Sequence, residues 1–320
     1  MKSLLKLSVL FAVFICVNAK AQNDLADAAK EVSKLSSDTN KVQAWIGLSK
    51  EAMRKNYNQA ETFADSALKL STQLQYEEGI ILAKKELGNS FYYRGKGDVA
   101  YSYWQEVYEY FKEHGEINKS ASMLNNMGLI KRNQAKYEEA MEAFFESLRM
   151  KESLNDSVGI ASSYNNIAVT YAIQENFGQA KEYFFLALHV YEKIKNQGRY
   201  NSLLLDIGGM YREQGKMDSS LIYVEQAVAY YSVNGPDVQW ARGLYILGNL
   251  YQDKEEYQQS HEAYDASIAL YSKLGDPHRT AGNYLRKSEV YKTQKNFNEA
   301  INFANKALVE VDEGFCQRNG

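Results

Sequence analysis

Apolar and polar residues alternate along most of this chain with the 3.6-residue rhythm of an amphipathic helix. From Ser162 to Gln174, the residues Tyr164, Ile167, Ala168 and Tyr171 fall at i, i+3, i+4 and i+7, one stripe of a helix. A polar turn follows at Gln174-Glu175-Asn176. A second stripe, from Phe177 to Lys195, carries Phe177, Ala180, Phe184, Ala187 and Leu188. Another such turn stands at Gln214-Gly215-Lys216. The pairs are separated by Asn155-Asp156, Asn234-Gly235-Pro236 and Gly275-Asp276-Pro277, residues that stop and start helices. Pro236 and Pro277 are the only prolines, which predicts an almost wholly helical chain.

The pattern repeats. Leu48, Gly88, Gly128, Ala168, Gly208, Gly248 and Ser288 stand 40 residues apart with no insertion. Three residues further on come Glu51, Phe91, Lys131, Tyr171, Tyr211, Tyr251 and Tyr291. Twelve after the first set are Ala60, Ala100, Ala140, Ala180, Ser220, Ser260 and Ala300, small every time. Nineteen after it are Ala67, Val107, Ser147, Ala187, Ala227, Ser267 and Ala307. Small residues let two helix backbones approach, and the aromatics fill the space beside them. One such hairpin cannot bury its own apolar face, so neighbours must stack.

Tyr164-Asn165-Asn166-Ile167-Ala168-Val169-Thr170-Tyr171, followed by Ala180, Phe184 and Ala187, resembles the tetratricopeptide repeat. So do Leu247-Gly248-Asn249-Leu250-Tyr251 and Leu87-Gly88-Asn89-Ser90-Phe91. The resemblance covers about residues 41 to 320. The repeat is longer than the family's common form and is similar to a longer-helix branch. It implies an all-α superhelix of seven hairpins, right-handed, with the first helix of each pair on the concave wall. The repeats are read as 41–80, 81–120, 121–160, 161–200, 201–240, 241–280 and 281–320. Residues 24–37 read as an extra amphipathic helix, so 22–40 is expected to cap the stack. The first repeat is the weakest, with Leu48 and Glu51 off pattern.

The ends change the picture. Lys2 and Lys6 precede an uncharged run from Leu7 to Val17, and Ala19-Lys20-Ala21 gives a small-x-small site. Residues 1–21 therefore read as a signal peptide cut after Ala21, with an uncleaved anchor as the alternative. This predicts a secreted or periplasmic protein with no membrane insertion after cleavage. Cys16 lies in that segment and Cys316 stands alone beyond it, so no internal disulfide is expected. The chain has 37 basic and 40 acidic residues. Without Lys2, Lys6 and Lys20 the balance is 34 against 40, or −6, which argues against nucleic acid as partner.

On the concave side, the stripe beside the packed face contains Lys85, Asn89 and Tyr92; Asn125, Leu129 and Arg132; Asn165, Val169 and Ala172; Leu205, Gly209 and Arg212; and Tyr245, Asn249 and Gln252. Asn126, Asn166 and Arg286 adjoin it. Asparagine presents donors and an acceptor on a short stem and suits the backbone of an extended peptide. Tyrosine adds contact area with few rotatable bonds. The expected groove is thus Lys85, Asn89, Tyr92, Asn125, Asn126, Arg132, Asn165, Asn166, Arg212, Tyr245 and Asn249. Some members of the family clamp a C-terminal carboxylate; Lys85, Asn89 and Asn126 match that pattern. Ser162 and Asn166 take the places of its last two basic residues, so the clamp is incomplete.

Nothing points to catalysis, a cofactor or a metal. His114, His189, His261 and His278 sit in separate repeats with no second ligand at metal spacing. Gly95-Lys96-Gly97-Asp98 lies between helices and reads as a turn, not a phosphate loop. Glu138-Glu139 and Glu255-Glu256 read as the starts of second helices, where acids favour the dipole. Asn118-Lys119-Ser120 and Asn155-Asp156-Ser157 fit a glycosylation pattern, discounted because the signal looks bacterial. The function expected is a non-catalytic scaffold for a protein or peptide. The alternative is the sensory region of a larger or truncated signalling protein, because signal plus repeats looks like the periplasmic part of sensor kinases, cyclases or regulators of Bacteroidetes-type bacteria. The ladder stops at Gly320 with Ala304, Ala307, Leu308 and Val311 expected to be partly uncovered, available to a partner or a second copy.

Overall fold

The computed structural model describes residues 23–53, 56–235 and 238–319, with side chains from 25 to 310. The signal-peptide reading, Pro236 and Cys316 lie outside these described residues or side chains. Among them are fifteen helices and no strand. The chain divides into two compact units, with the boundary between Met150 and Lys151.

The first unit holds α1 (Asn23–Lys34), α2 (Thr39–Ala52), α3 (Tyr57–Gln73), α4 (Glu77–Tyr93), α5 (Gly97–Glu113), α6 (Ile117–Asn133) and most of α7 (Tyr137–Ser153). The second holds α8 (Ser157–Ile173), α9 (Phe177–Lys193), α10 (Gln197–Glu213), α11 (Met217–Asn234), α12 (Val238–Asp253), α13 (Tyr257–Leu274), α14 (Pro277–Thr293) and α15 (Phe297–Asn319). α8 begins five residues before the Ser162 read from periodicity, because Asp156 accepts a hydrogen bond from the Gly159 N–H and caps it there. Glu138 and Glu139 do open α7. Glu255 and Glu256 instead precede α13: Glu255 is left-handed and Glu256 is the N-cap.

The links between helices are nearly identical. Except at Gly235, where φ is 95°, a left-handed residue recurs every 20 positions: Gln75, Gly95, Gly115, Ala135, Asn155, Glu175, Lys195, Gly215, Glu255, Gly275 and Lys295, with φ from 51 to 75°. In each case the next residue's N–H returns to a carbonyl five positions back, as Lys96 does to Phe91 (2.9 Å) and Asn196 to Tyr191 (2.9 Å). That bond closes the outgoing helix. The same residue then often caps the incoming one, as Asn196 does for Arg199 N–H and Asp276 for Arg279 N–H. Gly95-Lys96-Gly97 is one of these links, with α5 starting at Gly97.

The columns have direct structural meanings. A Cβ on Gly128 would lie 2.6 Å from the Phe144 ring, and one on Gly248 would lie 2.6 Å from Tyr264. Trp104 fills the same place against Gly88, and Val224 against Gly208. Where the first helix carries Leu48, the residue sixteen on is Ala64, and both are buried. The off-pattern leucine is thus a large-for-small exchange within the hairpin. Serines in the small columns donate across it, Ser220 Oγ to the Gly208 carbonyl (2.6 Å), Ser260 to Gly248 (2.8 Å) and Ser288 to Ala300 (2.7 Å), and Ser49, beside Leu48, does the same to Ala60 (2.8 Å). Ser147 and Ser267 reach the carbonyls of Ala121 and Ala241 at 2.8 Å, which explains the last column.

In α15, Ala307 is buried at 3% and Ala304 is half-buried, covered by their own hairpin. Leu308 is 63% exposed, whereas Leu148 and Leu188 at the same position are 7% exposed. The expected exposure therefore falls on Leu308 and not on Ala307.

A groove in the second unit

The second unit contains a groove of about 1100 Å³. Its walls come mainly from the first helices α8, α10, α12 and α14, with Phe184 of α9 and Tyr271 of α13 behind them. Val169, Ala172, Gly209, Arg212, Tyr245 and Asn249 line it. Two glycines open its floor: a Cβ added to Gly209 or Gly282 would meet nothing within 4 Å.

Side chains on successive first helices are tied together. The Asn165 amide donates to Asp206 Oδ2 (3.1 Å), and the Arg242 guanidinium pairs with Oδ1 of the same carboxylate. Arg212 Nε donates to Asp253 (2.6 Å), and Arg286 Nε donates to the Tyr245 hydroxyl (3.2 Å). Residues 165 and 206, 212 and 253, and 245 and 286 are all 41 apart. A spacing of one repeat plus one residue puts a side chain opposite the facing side of the next first helix. Burial alone would lower the pKa values of Arg242 and Arg212; their carboxylate partners more than offset it and hold both above the ordinary value.

Two asparagine side chains of the second unit have an oxygen that remains unanswered. Asn165 Oδ1 and Asn283 Oδ1 are buried and have no hydrogen-bond partner among the described residues. Asn283, which lines the groove and is 1% exposed, uses its amide to reach the Arg279 carbonyl (2.8 Å).

Some expected residues are placed otherwise. Asn249 is 7% exposed, and its carbonyl accepts from the Tyr264 hydroxyl (2.8 Å), so it belongs to the groove's floor and its acceptor is taken. Burial pushes the Tyr264 hydroxyl's pKa up. Leu205 is fully buried because it packs toward Gly243 of the following hairpin. Asn166 is half-buried on α8. Lys85, Asn89, Tyr92, Asn125, Asn126 and Arg132 belong to the first unit and do not line this groove. There, the Asn89 amide donates to Glu86 (2.9 Å) and Lys85 Nζ lies 3.8 Å from the same carboxylate. Two of the three residues that match a carboxylate clamp are therefore engaged by the chain's own Glu86, which is 3% exposed. The Tyr92 ring leans on Trp104 (5.4 Å), and the Arg132 guanidinium lies 5.9 Å from the Phe144 ring centre.

Asp206, Arg242, Arg279 and Asn283 escaped the sequence reading. The signal available was an opposite-charge pair 36 residues apart, Asp206 and Arg242, one helical turn short of a full repeat. His278, which has no second ligand at metal spacing in the sequence, lines the groove. Among the described residues, no group of three or more His, Cys, Asp or Glu could hold a metal ion. No described helix is long and apolar enough to cross a membrane.

Comparison with known proteins supports the repeat. Tetratricopeptide repeat family models match residues 119–193 and 281–308. No curated protein matches the sequence. Among solved structures, a Rap protein complexed with competence and sporulation factor is similar at a TM-score of 0.71 with 13% identity, covering 92% of this chain and 81% of that one. The Rap conjugation gene regulator of plasmid pLS20, in complex with the Phr* peptide, gives 0.65 with 15% identity over 93% and 81%. A signal transduction ATPase with a tetratricopeptide repeat sensor, from Pyrococcus horikoshii, gives 0.60 with 16% identity over 91% and 46%. At these identities the likeness is one of fold: an all-α chain of tetratricopeptide-like hairpins.

Proposed function

We propose that this protein is a non-catalytic scaffold that holds an extended peptide in the groove of its second unit. The observation that carries this reading is the open floor at Gly209 and Gly282 between walls of tied polar side chains. First helices about 8–10 Å apart give roughly 25–30 Å from α8 to α14. That length fits about eight or nine extended residues at ~3.3 Å each. At about 1100 Å³ the groove lies just above the size range of the clefts that enclose small ligands. Two Rap structures of similar fold were solved with a peptide or factor bound, which supports the same use of the hairpins here. The sequence of residues 1–21 supports a site of action outside the cytoplasm.

The test is selection of a displayed library of random nine-residue peptides on the protein. Selected peptides are then measured on a Gly209→Leu/Gly282→Leu variant, whose new side chains enter the groove from positions where a Cβ meets nothing within 4 Å. Binding should fall at least tenfold while the fold stays intact. Equal binding to both proteins, or no enrichment at all, would count against the groove.

A further inference from the structure

The groove is charged unevenly along its length. Its lining on α8, α10 and the link between α8 and α9 includes Glu175, Asp206 and Glu213 against Arg212 alone. Its lining on α12 and α14 includes Arg242, Arg279 and Arg286, and no acid. The arginine end is not closed by its own ion pairs. Arg279 is 53% exposed and meets Asp276 at 3.4 Å, three residues before it. Arg286 is 46% exposed and meets Glu289 at 2.8 Å, three residues after it. Exposed pairs of this kind hold their partners weakly, and a guanidinium has five N–H donors, so most of them stay open to a ligand. Tyr271 supports Arg279 from behind, its ring centre 5.6 Å from the guanidinium carbon. Between these arginines sits Asn283, whose buried Oδ1 has no partner and needs an N–H donor.

We infer that the groove reads charge order, taking an extended peptide whose acidic residues lie over Arg242, Arg279 and Arg286 and whose basic residues lie toward Glu175 and Glu213, with one peptide N–H given to Asn283 Oδ1. The inference rests on the peptide-binding reading above and adds the class of peptide. Carboxylates on side chains and a C-terminal carboxylate would serve the arginines alike. Arg242 keeps its Asp206 partner and contributes its remaining donors; Arg279 and Arg286 discriminate.

Three nine-residue peptides of one composition test it, each acetylated and carrying a fluorophore. One has three glutamates at its start and three lysines at its end, one has the reverse order, and one alternates them. Each is made as an amide and as a free acid, which separates side-chain from terminal carboxylate. Anisotropy titration at low salt should give at least one segregated peptide binding about tenfold tighter than the alternating one, the product of two or three exposed ion pairs. The preference should fade in 0.5 M salt as screening sets in. It should vanish in Arg279→Glu/Arg286→Glu, and in Arg279→Gln/Arg286→Gln should the charge reversal unfold the protein, with melting followed by circular dichroism. Equal binding of all three peptides, blocked by Gly209→Leu/Gly282→Leu, would overturn charge reading and leave peptide binding standing. A preference that survives both arginine variants would overturn it as well. No binding of any of the three overturns it too, and the library selection then decides separately whether the groove takes peptides.

Discussion

Gly208 and Gly209 are neighbours in α10, yet they belong to two regions built on opposite logic. Gly208 faces the seam inside its hairpin, where Val224 occupies the space a Cβ would need. Gly209 faces the groove, where a Cβ would meet nothing. In the seam, glycine is the partner of a large side chain: Trp104, Phe144 and Tyr264 each fill the place opposite one. On the groove floor, glycine borders open space that no neighbouring side chain fills within 4 Å. Removing the first kind of glycine should harm folding, and removing the second should harm binding alone.

The strongest way to break that contrast is from the large side. Phe144→Ala should destabilise the protein by about 3–5 kcal/mol, because the fully buried ring leaves a cavity over Gly128. Urea unfolding followed at the helical signal measures it. Next, Gly248→Ala should cost about 1–3 kcal/mol. The Tyr264 ring cannot retreat easily, since its hydroxyl lies 2.8 Å from Asn249 Oδ1 and 3.2 Å from Gln252 Oε1. Gly209→Ala, by the same measurement, should stabilise by about 0.5–1 kcal/mol through helix propensity. The same sign for both alanines would erase the distinction between seam and floor.

A smaller effect is expected at the links. Glu175 holds φ at 59°, a region that disfavours a Cβ. Glu175→Gly should raise the melting temperature slightly, by no more than about 1 kcal/mol of stability, the relief being partly offset by a more flexible unfolded chain. The last expectation concerns His261 of α13, stacked on Tyr291 of α14 at 4.1 Å. Burial lowers its pKa, the contact with Gln294 opposes this, and Lys287 adds to the lowering. The folded state thus favours the neutral ring, and the unfolded chain takes up the proton first, near 6.5. Stability should fall as pH drops from 7 through the folded-state value, and His261→Gln should flatten that slope.

Much of the hairpin was legible in the sequence because both helices of a pair lie within one repeat. The small residue at 128 and the ring at 144 are sixteen positions apart, within one repeat. The periodicity also placed Arg212 and Tyr245 on the side that lines the groove. The pairings across hairpins were not legible. Asp206 meets Asn165 and Arg242 only once three first helices stand side by side. Asn249 reads as a groove residue by spacing, but the ring that reaches its carbonyl belongs to the second helix, fifteen residues on. Glu86 was invisible for another reason: it shares its column with Asn126, Asn166 and Arg286, beside the expected groove, and its role shows only when Asn89 and Lys85 are seen beside it.

The links of three residues hold a consequence for how such a chain changes its length. Helices from α4 to α10 are 17 residues each, and every link among them has the same left-handed closure. Backbone geometry alone would therefore accept the gain or loss of 20 residues at any junction. The side chains forbid it, since a single added helix would set glycine against glycine and ring against ring. Duplication of 40 residues satisfies both rules at once. It lengthens the groove by one first helix, room for about three more extended residues of the proposed peptide, without disturbing a single existing contact inside any hairpin.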